Sequence, residues 1–178
     1  MKPDLLQVKI FSNRLILRTI ALEFQEDIFR EFTGKITTYM FPRSPENISD
    51  TKLFITESLK NMIQGDEIIL VILEKKSQEF LGCTGIHKLN SDSPEIGIWL
   101  KKSAHGNGYG LETVTTLKEW AEENLDYQYL IYPVDIANIP SRRIPERLGG
   151  ESFREYDKTN LSGRVLHLLE YRIPKKLN

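Results

Sequence analysis

KKSAHGNGYGLETVTTLKEWAEE, residues 101–123, sets glycine at every second position, Gly106, Gly108 and Gly110, and runs at once into a helix-forming segment. Glycine is costly to order, so such a cluster needs a reason. The first amides of a helix have no carbonyl partners, and the helix dipole adds partial positive charge there. A glycine backbone ahead of them can curl around an oxyanion with no Cβ in the way. The stretch therefore predicts an anion site, against the plainer reading in which the glycines only turn a corner. Two nucleotide fingerprints are excluded by spacing. A Walker A loop ends Gly-Lys-Ser/Thr, where this one ends Tyr109-Gly110-Leu111. The dinucleotide pattern G-x-G-x-x-G needs glycine where Leu111 stands.

Outward from the loop, the apolar spacing gives the organisation. The helix is predicted over 111–124, with Leu111, Val114, Leu117, Ala121 and the Lys118 stem turned inward. PEIGIWLKK (94–102) before it reads as a strand, as do EIILVILEKKS and EFLGCTGIHKLN, joined by a KKSQ hairpin turn. RLILRT (14–19) is a first strand, Ala21–Phe32 a helix, and 51–64 a second helix capped by Asn47, Ser49 or Asp50 and closed by Gly65. YQYLIYPVDI is a strand, NIPSRRIPERLGG a short helix, and SGRVLHLLEYRI a closing strand. No repeat or linker divides the chain, so residues 1–178 read as a single domain. Its fold class is α/β (α+β), a mixed and mostly antiparallel central sheet with a crossover at the glycine loop.

Bulk properties narrow the partners. With 24 basic and 25 acidic residues the charge nearly cancels, which gives no electrostatic case for nucleic acid. The start of the chain is broken by Lys9, Asn13, Arg14 and Arg18, so it is neither signal peptide nor membrane span. A single cysteine, Cys83, fits a reducing compartment, and the expected location is cytoplasmic. His87 and His167 sit in strands with no third ligand at metal spacing, so no metal is expected.

PEIGIWLKKSAHGNGYG followed by a helix, and then NIPSRRIPERLGG, resembles the GNAT N-acetyltransferases and most of all their RimJ/RimL branch. His105, Gly106, Asn107, Gly108, Tyr109 and Gly110 match the Gln/Arg-x-x-Gly-x-Gly/Ala signature except at its first position. Asn138, Ser141 and Gly149-Gly150 match the second signature, and Glu95 to Leu100 the strand ahead of the loop. The likeness of element order spans almost the whole chain. It implies helices on both faces of the sheet, splayed strands forming an acyl-CoA cleft, and acetyl-CoA as co-substrate, its pyrophosphate on residues 105–110. It further implies that the strands at 95–100 and 129–136 diverge, with main-chain amides around Trp99 and Leu100 polarising the thioester. Pro133 is an independent hint, because proline cannot donate to a ladder and belongs on an edge or where a neighbour has moved away.

Direct transfer of an acetyl group needs a neutral amine and a proton for the departing thiolate. Glu95 is the first candidate base, against the plainer reading of a solvated strand-end carboxylate; Glu155, which the resemblance sets near the acceptor side, is the second. Ser141 can protonate the sulfur or hold the pantetheine arm, while Asn138 caps a helix or contacts the coenzyme. Cys83, between Gly82 and Thr84, reads as a small buried residue rather than a nucleophile. Three departures stand out: His105 removes a dependable charge, Pro145 should kink or end its helix, and Gly150 replaces an aromatic residue. If His105 supplies charge as imidazolium, affinity for CoA weakens as pH rises through the histidine range.

The acceptor is expected to be a primary amine: a protein N-terminus, an amino acid or a small amine. Tyr39, Met40, Phe41 and Pro42 can wall its site, with Arg43 or Arg154 reading an acidic group; the plainer reading is that they pack the helix pair onto the sheet, and for Phe41 that reading is preferred. The alternative is a non-catalytic acyl-CoA-binding module with a degenerate site. Apolar strand edges near the C-terminus are where a homodimer would pair.

Overall fold

The strand Glu67–Glu74 is buried at every position from Ile68 to Leu73, so both of its faces must be covered. In the computed structural model, which describes residues 3–176, it is a central strand. The elements in order are β1 (Lys9–Phe11), β2 (Leu15–Thr19), α1 (Gln25–Glu31), α2 (Ile48–Gln64), β3 (Glu67–Glu74), β4 (Phe80–His87), β5 (Glu95–Leu100), α3 (Tyr109–Asn124), β6 (Tyr129–Asp135), α4 (Ile139–Arg147), β7 (Glu151–Thr159) and β8 (Val165–Pro174). One eight-stranded sheet has the order β1-β2-β3-β4-β5-β6-β8-β7. Every pairing is antiparallel except β5 with β6. That parallel pair requires the crossover, and α3 supplies it.

Successive side chains of β5 show which helices cover which face. Trp99 stacks on Phe32, just past α1, with ring centroids 4.7 Å apart. Leu100 turns the other way, toward Gly110 at the start of α3 and Ile144 of α4. Helices α1 and α2 thus lie on one face, and α3 and α4 on the other. Val114, Leu117, Trp120 and Ala121 are the buried stripe of α3. α2 begins with a reciprocal cap, in which Asn47 accepts from the Asp50 amide and the Asp50 carboxylate accepts from the Asn47 amide. It ends on Gly65 at φ +79°, as the sequence predicts. Among the described residues no helix is long and apolar enough to cross a membrane.

Two strands depart from the sequence reading. β1 is three residues long, too short to carry a pattern. β7 takes up most of FREYDKTNLSG, which reads as a loop, and leaves only the turn around Asn160–Arg164. Its side chains are exposed at every position but Tyr156. It is a strand because β8 offers a ladder, not because of an apolar face of its own. The C-terminal edge of the sheet is therefore mostly charged, through Glu151, Arg154, Glu155, Asp157 and Lys158, rather than apolar.

Candidate functional site

β5 and β6 pair at one position only, Glu95 with Ile131, closed by the Ile131 amide on the Pro94 carbonyl at 2.8 Å. Beyond it the two strands separate. The Lys101 amide donates to Leu81 at 2.7 Å, and the Thr84 hydroxyl donates to the Gly97 carbonyl at 2.9 Å. With antiparallel alternation, these bonds turn the main chain of 95, 97 and 99 toward β4 and that of 96, 98 and 100 toward the gap. Of the two expected amides, Leu100 thus faces the cleft, whereas Trp99 is bonded to β4 and packs its indole on Phe32 and Phe80. On the other wall is Pro133, which has no amide to leave unpaired.

At the open end of the gap lies the glycine loop. Gly106 and Gly108 both sit at φ +77°, a conformation that costs any other L-residue about 1–2 kcal/mol. The loop delivers the chain into α3 with the amides of residues 106 to 111 free: none of them donates to an acceptor among the described residues. His105 is turned away from them. Its Nε2 donates to the Leu100 carbonyl at 2.8 Å, a bond that a neutral imidazole makes without charge. Asn107 braces the loop from inside, its Nδ2 donating to the carbonyls of Ala104 and His105 at 3.2 and 3.0 Å.

The cation against this loop is one that the sequence reading left as a plain strand residue. Arg14 donates from Nη1 to the Asn107 carbonyl at 3.0 Å and spreads its guanidinium 4.5 Å from the centre of the Tyr109 ring. Glu112, in the first turn of α3, holds it: Oε2 accepts from Arg14 Nε at 2.7 Å, and Oε1 accepts from the Arg14 amide and the Ser12 hydroxyl, both at 2.7 Å. Burial pushes the Glu112 carboxyl up, but these bonds outweigh it and hold the group below its ordinary range. The signal in the sequence was Glu112 itself, an acid in the first turn of the helix that follows the glycine loop. A cavity of about 480 Å³ opens beside the loop, lined by Asn13, Arg14, Gly108, Leu111 and Glu112 among others.

Glu95 stands at the closed end of the gap, on the face of α1 and α2. Lys88 approaches it at 3.6 Å. Following the register across the sheet, Tyr156 and Glu170 share that face. Burial, then the charges of Glu170 and Glu95, push the Tyr156 phenol up. Glu155 is one residue away and therefore on the opposite face, toward Arg142 of α4. Alternation along β7 thus removes Glu155 from the acceptor side, where the sequence reading had set it.

Ser141, in the first turn of α4, lies on the other face of the gap, its Oγ 2.8 Å from the Tyr132 hydroxyl. Burial pushes the Tyr132 phenol up to about 12 despite the bond from Ser141, so it stays protonated at neutral pH. Asn138 occupies the N-cap position without a capping bond: Pro140 at the second helical position has no N–H, and the Ser141 amide at the third is not taken. Its amide group is left for another partner. The helix continues past Pro145 and ends two residues later at Arg147, so the proline neither breaks nor stops it at once. In a final turn, losing one bond to Ser141 is tolerable, and the freed chain closes with Leu148 and Gly150 both donating to the Pro145 carbonyl, at 3.0 and 2.8 Å. At Gly150 a Cβ would stand 2.7 Å from that carbonyl oxygen, so the aromatic residue of the signature has no room here.

The remaining candidates divide clearly. The loop after α1 is tied over the β7–β8 turn: the Leu161 amide donates to Phe41 at 3.0 Å, and Asn160 Nδ2 to Met40 at 3.1 Å. Phe41 is 40% exposed and lies under Lys158, so it walls the outside rather than packing the helix pair. Neither arginine is free to read an acidic group: Arg43 pairs with Glu46 at 2.5 Å, and Arg154 with Glu170 at 2.9 Å. Cys83 is buried, and burial pushes its thiol far up, which disqualifies it as a nucleophile. His167 is bonded to Asp157 on the exposed β7–β8 ribbon at 2.7 Å, remote in register from Glu95.

Residues 14–151 match the family model described as an acetyltransferase (GNAT) domain. An uncharacterized N-acetyltransferase, p20 of Bacillus licheniformis, is 22% identical over 173 residues, covering 94% of this chain and 96% of the relative. Among solved structures, the RimL ribosomal L7/L12 alpha-N-protein acetyltransferase in complex with coenzyme A superposes with a TM-score of 0.83 at 14% identity, covering 94% of this chain and 98% of that one. The spermidine N-acetyltransferase of Vibrio cholerae, in complex with CoA and spermine, gives 0.80 at 15% identity, over 92% and 97%. At such identities the likeness to the two structures is one of fold.

Proposed function

The chain belongs to the GNAT acetyltransferase family, and from that premise we propose that it moves the acetyl group of acetyl-CoA directly to a primary amine, with the two substrates meeting in one ternary complex. The observation that carries this reading is the continuity of two main-chain surfaces: the edge of β5 facing the gap, from the Ile96 carbonyl through Ile98 to the Leu100 amide, and the free amides of residues 106–111. The first suits an extended amide-bearing arm, and the second a diphosphate. Acetyl-CoA has both, in that order, and supplies the activated acyl carbon.

The protein's own groups are divided between the two faces of the sheet. Gly106, Asn107, Gly108, Tyr109 and Gly110 hold the diphosphate through main-chain N–H, with the Arg14 guanidinium beside them in the role the signature gives to its first residue. Asn138 and the Leu100 amide hold the arm. On the α4 face, Tyr132 and Ser141 share one hydrogen bond between two hydroxyls. One O–H is therefore left over for the departing sulfur, and Ser141 delivers it. On the α1–α2 face, Glu95 meets the incoming ammonium, as its anchor or as the acceptor of its proton. Glu67 and Glu95 on that face favour a cationic acceptor such as a protein N-terminus, a small amine or an amino acid. Its relatives' acceptors, a ribosomal protein and spermidine, fall within that range.

A thiol-release assay with acetyl-CoA and a panel of N-terminal peptides, polyamines and amino acids tests the reading. Release that depends on one acceptor class supports it. Tight CoA binding with no release from any acceptor identifies instead a binding module that has lost its chemistry.

A further inference from the structure

His87 ends β4 and is paired in register with Glu67 of β3 on one side and Glu95 of β5 on the other. Three ionisable side chains therefore stand in a row on one face, at the point where β5 and β6 begin to part. The row is organised. His87 Nδ1 lies 2.7 Å from Glu67 Oε2, and Glu67 Oε1 accepts from Asn61 Nδ2 of α2 at 3.2 Å. A carboxylate only accepts, so Nδ1 carries the proton and, in the neutral ring, Nε2 keeps its lone pair. Nε2 has no hydrogen-bond partner among the described residues. It lies 3.7 Å from where a Cβ would stand on Gly97, two residues past the last β5–β6 pair, so the missing side chain at 97 leaves the ring open to the gap.

The surroundings supply the electrostatics. Burial raises the Glu67 carboxyl, but the bonds from His87 and Asn61 and the charge of His87 hold it below its ordinary range, so it stays an anion. The groups facing His87 are Glu67 from β3, Glu95 from β5 with Lys88 3.6 Å beyond it, and Asn61 from α2; Tyr156 of β7 stands beyond Glu95. An oriented imidazole with a carboxylate behind it is the arrangement by which enzymes make histidine a base.

We infer that His87 is the catalytic base, with Glu67 as its positioning residue and Glu95 as the anchor of the acceptor ammonium; this rests on the acetyl-transfer reading above. His87 Nε2 takes one proton from the ammonium, giving the neutral amine and an imidazolium. The amine lone pair forms the N–C bond to the thioester carbon as the C–S bond breaks, with the electron pair leaving on sulfur. The second nitrogen proton reaches the thiolate by way of Ser141, and the imidazolium returns its proton to solvent. The sum is an amide, a thiol and one released proton.

The test combines turnover of the best acceptor of the panel with ¹⁵N spectra of the His87 ring. His87→Gln is expected to lower kcat at least 100-fold with CoA affinity unchanged. The ring should be the Nδ1–H tautomer, and its Nε2 resonance should shift when acetyl-CoA saturates the protein. Glu67→Ala is expected to lose that tautomer preference and to lower kcat about 10-fold with KM little changed. Normal turnover in His87→Gln, or an unaltered tautomer in Glu67→Ala, overturns the assignment. If no acceptor is turned over but CoA binds, the acetyl-transfer reading fails by itself, and the ring spectra still decide: an Nε2–H tautomer, or a resonance indifferent to acetyl-CoA, rejects His87.

Discussion

Arg14 and Glu112 show how one pair of residues can set the geometry of a binding loop. Glu112 gathers bonds from the Ser12 hydroxyl and from the main chain and side chain of Arg14, and Arg14 then reaches the Asn107 carbonyl. Because the folded-state pKa of Glu112 is depressed, its stabilisation is present above the unfolded value of about 4.3 and disappears as pH falls through the folded one. Glu112→Gln should cost about 1–2 kcal/mol at pH 7, which lowers Tm by roughly 3–8 °C. Thermal melts from pH 7 down to pH 3 check the sign: the gap between wild type and variant should narrow below about pH 4. Arg14→Gln should leave the fold intact and weaken CoA binding about 5–20-fold, an effect that shrinks in high salt. Cys83, buried with its thiol pushed up, should be dispensable to the chemistry: Cys83→Ala keeps turnover within about threefold, and a loss of 100-fold would point to an acyl-enzyme route.

At the scale of elements, the fork between β5 and β6 and the turn into α3 are the two features on which binding depends. The two strands were legible because EIGIWL and YQYLIYPVDI are apolar enough, but their fork was expected from the resemblance, with Pro133 fitting either a sheet edge or a departed neighbour. The glycine turn was legible because only glycine tolerates φ +77° twice within three residues. What stayed hidden depends on contacts between distant parts of the chain. β7 has no apolar face and becomes a strand only beside β8. Glu155 was set on the acceptor side by resemblance, and the alternation that turns it to the opposite face exists only once residues 151–159 are paired with β8. The Glu67–His87–Glu95 row joins residues whose proximity is fixed by register, while the bonds of His105 to Leu100 and of Ser141 to Tyr132 depend on how a loop and a helix fold back on a strand. Gly108→Ala tests the turn. The added Cβ would stand 3.5 Å from Arg14 Nη2 with φ at +77°, so the strain, not a clash, should weaken CoA about tenfold while the melting temperature falls by only a few degrees.

For the whole molecule, the sheet acts as a partition. In the proposed scheme one helical layer and the glycine loop take the coenzyme, the other layer and the tied loops around Met40, Phe41 and Leu161 take the acceptor, and the gap beyond Glu95 and Ile131 joins the two sides. Such a layout lets two substrates meet without a covalent relay on the protein. A ligand that fills the coenzyme side ties β5 to α3 and α4, so CoA at a hundred times its Kd should stabilise the fold by about 2.7 kcal/mol. ATP and NAD, which lack the extended arm, should do markedly less. The most direct test reads the amide protons of Gly106, Gly108 and Gly110 by ¹H–¹⁵N NMR as CoA is added. New hydrogen bonds to the diphosphate predict large downfield shifts at these three glycines, saturating together with the melting-temperature rise. Resonances that stay where they were while CoA binds elsewhere would contradict the account at its foundation.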